Sequence, residues 1–285
     1  MRRILLSLLL LSLLSACSTR QLALRGAADA LAAQGQAPED DLQLAREASA
    51  FYLKLSESVL REQPGHAPLA LAVSSGFAQY AYAFVAFDAE RMESRDAKAA
   101  LRGRQRAARL YERALNHAMA ALQDQQPGLV KRLAVGEDPG LQAQQVALAY
   151  WAATSWAALI SLSKDQPERV AELPQALRLA QAADRLEPQH ADGALASLLG
   201  TLEASRPGGS IRLAERYFER ARQAAGGRQA GVLLAEAEAL ASADRERFEA
   251  LLREALVVAQ THRSLANEVM RERAQWLLDT LDERF

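Results

Sequence analysis

The segment ALAYWAATSWAAL, residues 147–159, indicates the fold class of the whole chain. It contains no charged residue, no glycine and no proline, and alanine and leucine are among the strongest helix formers. The same composition recurs along a chain that is 50% hydrophobic but only 6% aromatic, in which Val, Ile and Thr are scarce. Because alternating runs of β-branched residues are absent, we predict an all-α protein.

Proline and glycine turns divide the chain into helical segments of roughly 15 to 30 residues. Helices of this length joined by short turns favour antiparallel pairs, and successive pairs are expected to stack into a superhelix. The predicted turns fall at residues 35–38, 63–65, 126–128, 138–140, 166–167, 187–188, 206–209 and 226–227.

A small–bulky–small pattern repeats within these segments. Its copies are Ala107-Tyr111-Ala114, Ala176-Ala180-Ala183 with Pro188 after it, Ala214-Phe218-Ala221, and a final copy that keeps Leu252 and Ala255 after Phe248. The closing alanines at 114, 183, 221 and 255 are separated by about two, one and one periods of roughly 34 residues. No copy carries the full signature, so we predict degenerate tetratricopeptide-like repeats.

The densest aromatic stretch of the sequence holds Tyr150, Trp151 and Trp156. At about 100° per residue, the two indole rings point to different faces of one helix. We therefore expect one ring to pack inside a helix pair while the other lines a groove or a partner surface. Burial of both rings in the core is the alternative.

A second aromatic set, Phe77, Tyr80, Phe84 and Phe87, recurs on one predicted helix face, with Tyr82 pointing away from it. Such a stripe is more often core than ligand wall. We predict core packing for the set and retain Tyr80 as a candidate contact for a ligand or partner.

The N-terminus has the layout of a bacterial lipoprotein signal. Arg2 and Arg3 precede an eleven-residue apolar run, Ile4 to Leu14, which is far shorter than the ~20 residues that cross a bilayer. Leu14-Ser15-Ala16-Cys17 then resembles a lipobox, and Cys17 is the single cysteine of the chain. We predict a signal peptide over 1–16, a lipidated N-terminus and first helix over 17–40, and a helical domain over 41–285.

The residue after the predicted lipid-attachment site Cys17 is Ser18 rather than Asp, which favours sorting to the outer membrane, facing the periplasm. An ordinary signal peptide with a stray cysteine is the alternative. Without residues 1–16 the chain keeps 32 basic residues against 35 acidic ones. No basic surplus therefore points to nucleic acid or to an anionic membrane surface as a partner.

Motifs for catalysis or metal binding are missing from the sequence. The four histidines form no HExxH or i,i+4 pair, and no GxSxG is present. The glycine-rich stretch 206–210 lacks a phosphate-binding lysine, so it is interpreted as a turn with Ser210 as the next helix N-cap. We expect no enzyme activity, no metal and no cofactor.

Several segments together resemble one family. They are LAYWAATSWAALISLSKDQPERVAELPQALRLAQAADRLEP at 148–188, GALASLLGTLEASRPGG at 193–209, AERYFERA at 214–221, GFAQYAYAFVAFDAE at 76–90 and LANEVMRERAQWLL at 265–278. They are similar to the TatT family, the T components associated with tripartite ATP-independent periplasmic (TRAP) transporters. Tyr217 departs from the pattern, because the family often has His there. The resemblance implies a tetratricopeptide-like periplasmic lipoprotein that forms a homotrimer and engages the substrate-binding P component.

Two functions are compatible with these features. The resemblance implies a non-enzymatic accessory of TRAP-type uptake that helps a small or hydrophobic ligand reach the transporter. The alternative is a tetratricopeptide-type outer-membrane lipoprotein that scaffolds a secretion, pilus or barrel-insertion machine, because helical repeats present concave partner surfaces in either case.

Overall fold

The computed structural model describes residues 19–34 and 39–285. Within these ranges the chain is helical and contains no β-strand, which confirms the all-α prediction. The predicted signal peptide 1–16 and the predicted lipid-attachment residue Cys17 lie outside the described residues.

Fourteen α-helices follow one another along the described chain. Helix α1 spans residues 19–34. The others are α2 (Leu42–Glu62), α3 (Ala67–Ala81), α4 (Phe87–Met92), α5 (Ala97–Gln125), α6 (Leu129–Val135), α7 (Val146–Ser161), α8 (Pro167–Val170), α9 (Leu173–Leu186), α10 (His190–Ser205), α11 (Ile211–Ala225), α12 (Ala230–Leu240), α13 (Arg245–Thr261) and α14 (Leu265–Asp279). A π-helical turn, Tyr82–Ala86, joins α3 to α4, and 3₁₀ turns occupy Ala143–Gln145 and Leu281–Glu283.

Successive helices pack pairwise, as the turn spacing predicted. Helix α3 packs on α5, α7 on α9, α10 on α11, and α12 on α13. All twelve repeat positions are buried: Ala107, Tyr111, Ala114, Ala176, Ala180, Ala183, Ala214, Phe218, Ala221, Phe248, Leu252 and Ala255. The tetratricopeptide-like geometry of the pairs stays a prediction.

Two rows of helices with different compositions result from this packing. The central row consists of α3, α7, α10 and α12, each of which packs on the next helix of the row. The flanking row consists of α5, α9, α11 and α13, which pack on the outside of the central helices. Helices α3 and α7 contain no charged residue, whereas the flanking helices carry one apolar stripe and an otherwise charged surface.

The predicted turns from 63–65 onwards fall at helix ends, whereas the predicted turn at 35–38 lies outside the described residues. Gly128 and Gly226 adopt left-handed backbone angles, φ of 85° and 54°, which glycine tolerates without steric cost. The Ser210 side chain accepts a hydrogen bond from the backbone N–H of Leu213, which confirms it as the N-cap of α11.

The helical segment Ala67–Met92 is apolar enough to cross a membrane by length and composition alone. It spans 26 residues with a mean hydropathy of 1.4 in its most apolar window, yet half of that window is buried inside the protein. A core helix of a globular protein passes the same test, and the packing of α3 on α5 and α7 gives the segment that role.

The two ends of the helical array meet. Helix α14 packs against α2, and a small apolar cluster joins Ala45 of α2, Phe84 of the π-helical turn and Val269 of α14. The Arg273 guanidinium, almost fully buried, reaches Glu90 at 2.7 Å and Glu238 at 2.6 Å. The contact between Arg273 and Glu90 spans 183 residues of sequence and closes the array.

Candidate functional site

Helix α7 has one face that remains half-exposed at the centre of the protein. Its members recur at helical spacing on one side of α7: Ala147, Tyr150, Trp151, Thr154 and Ala158. The opposite side of α7 is buried against the core. Because α7 has no charged residue, this open face is apolar apart from the Tyr150 and Thr154 hydroxyls.

Three aromatic side chains gather on this face. The rings of Tyr150 and Trp151 meet edge to face with centroids 4.9 Å apart, and the His190 ring lies 5.6 Å from that of Tyr150. Edge-to-face pairs of this kind add stability beyond the area they bury. Burial raises the pKa of the Tyr150 phenol, so the group stays protonated and can donate a hydrogen bond. We call Tyr150, Trp151 and His190 the aromatic wall.

Trp156 is the tryptophan of α7 that packs in the core. It is 7% exposed, and its indole N–H donates a hydrogen bond of 2.7 Å to the Glu172 carboxylate. A buried indole with its only polar atom satisfied is a packing residue. The structure thus separates the two tryptophans into one core ring and one half-exposed ring. Whether Trp151 binds a ligand or partner stays a prediction.

The backbone beside the aromatic wall is strained. Ala191 and Asp192 have φ of 46° and 54°, and Gly193 follows with φ of 88°, before the regular turns of α10 begin. Non-glycine residues seldom adopt this left-handed region, and such strain clusters at functional sites. A side chain at Gly193 would lie 2.7 Å from the Ala221 carbonyl oxygen, so only glycine fits there.

Sequence reasoning did not find His190 as a member of this site. A Glu187 carboxylate oxygen, from three residues earlier in the chain, lies 3.0 Å from the His190 Nδ1 although Pro188 separates the two residues. The position of His190 beside Tyr150 depends on the three residues with left-handed backbone angles that follow it. The sequence Ala-Asp-Gly does not predict three such residues in succession.

Helix α10, which packs on α7, has a half-exposed face of the same kind. Its members are Ala194, Ser197, Leu198 and the exposed Thr201, with no charged side chain among them. Together with the aromatic wall, this surface suits an apolar or aromatic group with one hydrogen-bonding function.

Tyr80, the remaining candidate, contacts a different set of residues. Its ring meets Phe84 edge to face at 5.5 Å, and the Arg46 guanidinium lies 4.9 Å from the Phe84 centroid. This cluster belongs to the junction of α2, the π-helical turn and α14. Tyr80 is therefore a structural neighbour of that junction, and its suggested binding role stays untested.

The aromatic stripe from Phe77 to Phe87 does not form one face. Phe77 stacks on His117 of α5, whereas Phe87 meets Trp276 of α14. The π-helical turn adds a residue to one helical turn, so the residues after it point in a new direction. The prediction of core packing is confirmed for Phe77, Phe84 and Phe87, all of which are buried.

Tyr82 and Arg273 form a buried contact, with the guanidinium 5.8 Å from the centroid of the Tyr82 ring. Burial by itself would lower the pKa of Arg273, but attraction to Tyr82, Glu238 and Glu90 outweighs it and raises that pKa. The guanidinium also lies 5.3 Å from the Phe87 centroid, a cation–π contact. Because every charge here is paired, we interpret the cluster as a structural closure rather than a reaction centre.

Comparisons with known proteins cover most of the chain. A family model described as TRAP transporter T-component matches residues 38–285. A protein of Treponema pallidum (strain Nichols), named there only as an uncharacterized protein, is 26% identical over 254 residues. The match covers 84% of this chain and 79% of that relative. The matched region contains every helix from α2 to α14.

Proposed function

Because the chain belongs to the TRAP transporter T-component family, we propose that it is a non-enzymatic accessory component of a TRAP-type solute uptake system. The match of the family model to residues 38–285 carries this proposal, since it includes helices α2 to α14 and the aromatic wall. In this role the protein engages the periplasmic substrate-binding P component and helps a small or hydrophobic ligand pass to the transporter.

The aromatic wall is the surface we assign to that engagement. Tyr150 and Trp151 offer rigid rings, the Trp151 indole N–H can donate a hydrogen bond, and His190 adds a ring beside them. Tyrosine and tryptophan are the residues that most often dominate the binding energy of protein interfaces. The absence of charge on α7 favours an apolar contact over a steered electrostatic one.

Attachment to the membrane forms part of the same proposal. Acylation of Cys17 would tether the protein at the outer membrane with the helical domain in the periplasm, where a P component diffuses. Each acyl chain contributes about 0.8 kcal/mol per buried CH₂, and two or more chains make such an anchor stable. Assembly into a homotrimer would present several aromatic walls around one axis.

A pull-down of the mature protein from periplasmic extract, followed by mass spectrometry, tests the function. We expect the P component of a TRAP transporter to be recovered with the wild-type chain and to be depleted with Trp151→Ala. The matched control is Phe51→Ala, which removes an aromatic ring that is 74% exposed on α2, away from the wall.

A different set of recovered proteins would contradict the proposal. Recovery of secretion, pilus or barrel-insertion components in place of a P component would assign the protein to the scaffolding function. Replacement of Cys17 by Ser supplies a separate readout, because the variant should take up no labelled palmitate if the lipid anchor is correct. Unchanged labelling of the variant would contradict the predicted lipid anchor but would leave the assignment to the family intact.

A further inference from the structure

One cleft in the described part of the chain lies apart from the aromatic wall. It encloses about 480 Å³ between α11, α12 and α13, a volume in the range of small-molecule sites. All of its lining side chains are charged: Arg212, Glu215, Arg216, Glu219, Arg222, Glu236 and Arg247. We call it the charged cleft.

One side of the charged cleft is fixed by internal ion pairs. The buried Glu236 carboxylate lies 3.4 Å from Arg222 and 3.0 Å from Arg247. Arg222 also comes within 3.9 Å of Glu254. A carboxylate shared by two guanidinium groups is neutralised, so these three side chains form a wall with no spare negative charge.

The other side carries charges of both signs that have no ionic partner. Within residues 19–34 and 39–285, Arg212, Glu215 and Arg216 make no ion pair, and Glu219 accepts a hydrogen bond only from the Gln223 amide. Residues three and four apart on a helix have Cβ atoms about 5–6 Å apart. Arg212 and Arg216 are like charges one turn apart, as are Glu215 and Glu219, but Arg212 also neighbours Glu215 and Arg216 neighbours Glu219. The four exposed side chains therefore form a set of balanced charge.

We propose that the charged cleft binds a short peptide by its two termini. The free arginines would hold the C-terminal carboxylate, for which the guanidinium fork is well matched, and the free glutamates would hold the N-terminal ammonium group. A dipeptide spans about 7 Å when extended, which long Arg and Glu side chains one helical turn apart can bracket. A simple anion would face the glutamates, and a metal cation would face the arginines.

Three matched probes test this proposal on the full chain by isothermal titration calorimetry. They are dialanine, N-acetyl-dialanine, which keeps only the carboxylate, and dialanine amide, which keeps only the ammonium group. We expect dialanine to bind at millimolar concentration and each of the other two to bind at least tenfold more weakly, since one charge-assisted contact is lost.

Single substitutions locate the binding. Arg216→Gln and Glu219→Gln should each weaken dialanine binding at least tenfold, because each removes one of the two terminal contacts. Arg253→Gln is the control, since this arginine is exposed on α13 and pairs only with Glu249 outside the cleft. None of the three changes removes a buried contact, so circular dichroism should be unchanged.

The proposal is overturned by equal binding of dialanine and N-acetyl-dialanine, which would make the cleft a plain anion site. It is likewise overturned if no probe binds, or if dialanine binds equally to wild type and to Arg216→Gln. None of these outcomes bears on the aromatic wall, so the proposed TRAP function stands or falls separately.

Discussion

The central and flanking rows differ in the side of each helix that faces away from the core. A flanking helix such as α11 buries one stripe, Ala214, Phe218 and Ala221, and its remaining surface carries charged residues that are exposed to solvent. A central helix such as α7 is apolar on all sides: one side is core and the other is the half-exposed face with Trp151. An apolar face that stays partly exposed is the feature expected of a binding surface, and we propose that role for this face.

The largest expected effect distinguishes the two sides of α7. Trp156→Ala should lower the free energy of unfolding by about 3–5 kcal/mol, because it empties a buried ring site and leaves the Glu172 carboxylate without its indole donor. Trp151→Ala should cost clearly less. Urea denaturation of both variants measures the difference. Equal losses would mean that both sides of α7 are core and that the comparison between rows fails.

The next largest effect on stability concerns Glu57 of α2, whose carboxylate contacts Arg113 and His117 of the flanking helix α5. Burial would raise the pKa of Glu57, but hydrogen bonds from Arg113, Lys54 and His117 outweigh it and lower this pKa to about 2. A lowered pKa in the folded state stabilises the protein above the unfolded value of 4.5, and that stabilisation is lost as the pH falls towards about 2. The loss amounts to at most about 3 kcal/mol.

Urea denaturation between about pH 6 and pH 2 tests the role of Glu57. We expect the wild type to lose stability across this window and Glu57→Gln to lose much less, because the variant has no carboxylate to protonate. Glu47→Gln, an exposed change on the same helix, should follow the wild-type curve. If Glu57→Gln also follows the wild-type curve, other carboxylates cause the loss of stability at low pH.

The junction between the rows gives a smaller effect. A Cβ atom at Gly200 of α10 would lie 2.8 Å from the buried Phe218 ring of α11, so Gly200→Ala should cost about 1–3 kcal/mol. At Gly231 of α12 the nearest atom would be 3.6 Å away, on the flexible Met270 side chain. Gly231→Ala should therefore cause no loss. Thermal denaturation of the pair checks whether the two rows pack as closely as described.

The sequence predicted the helical class, the turns and the packing alanines because these depend on local signals. Ser210 begins α11 as its N-cap, Gly226 ends α11, and Gly128 stands directly before α6. It also predicted that Trp151 and Trp156 point apart, since helical geometry fixes their angle. It could not choose which ring is buried, because the choice depends on residues such as Glu172 that reach Trp156 from another segment.

Other features of the structure depend on long-range or cooperative effects. The ion pair between Arg273 and Glu90 joins residues 183 positions apart, and nothing near either residue predicts the other. The π-helical turn at Tyr82–Ala86 has no composition that separates it from an α-helix, yet it redirects Phe84 and Phe87. The charged cleft requires the relative placement of three helices, which charge patterning along α11 alone does not give.

Binding of the purified P component to Trp151→Ala tests the central claim most directly. If the half-exposed face of the central row is the working surface, the dissociation constant should rise about thirtyfold, equivalent to about 2 kcal/mol, while folding is retained. Phe51→Ala, which removes an exposed ring from α2, should bind as the wild type does. Wild-type affinity in Trp151→Ala together with weakened binding in Phe51→Ala would contradict the account and move the partner surface to α2.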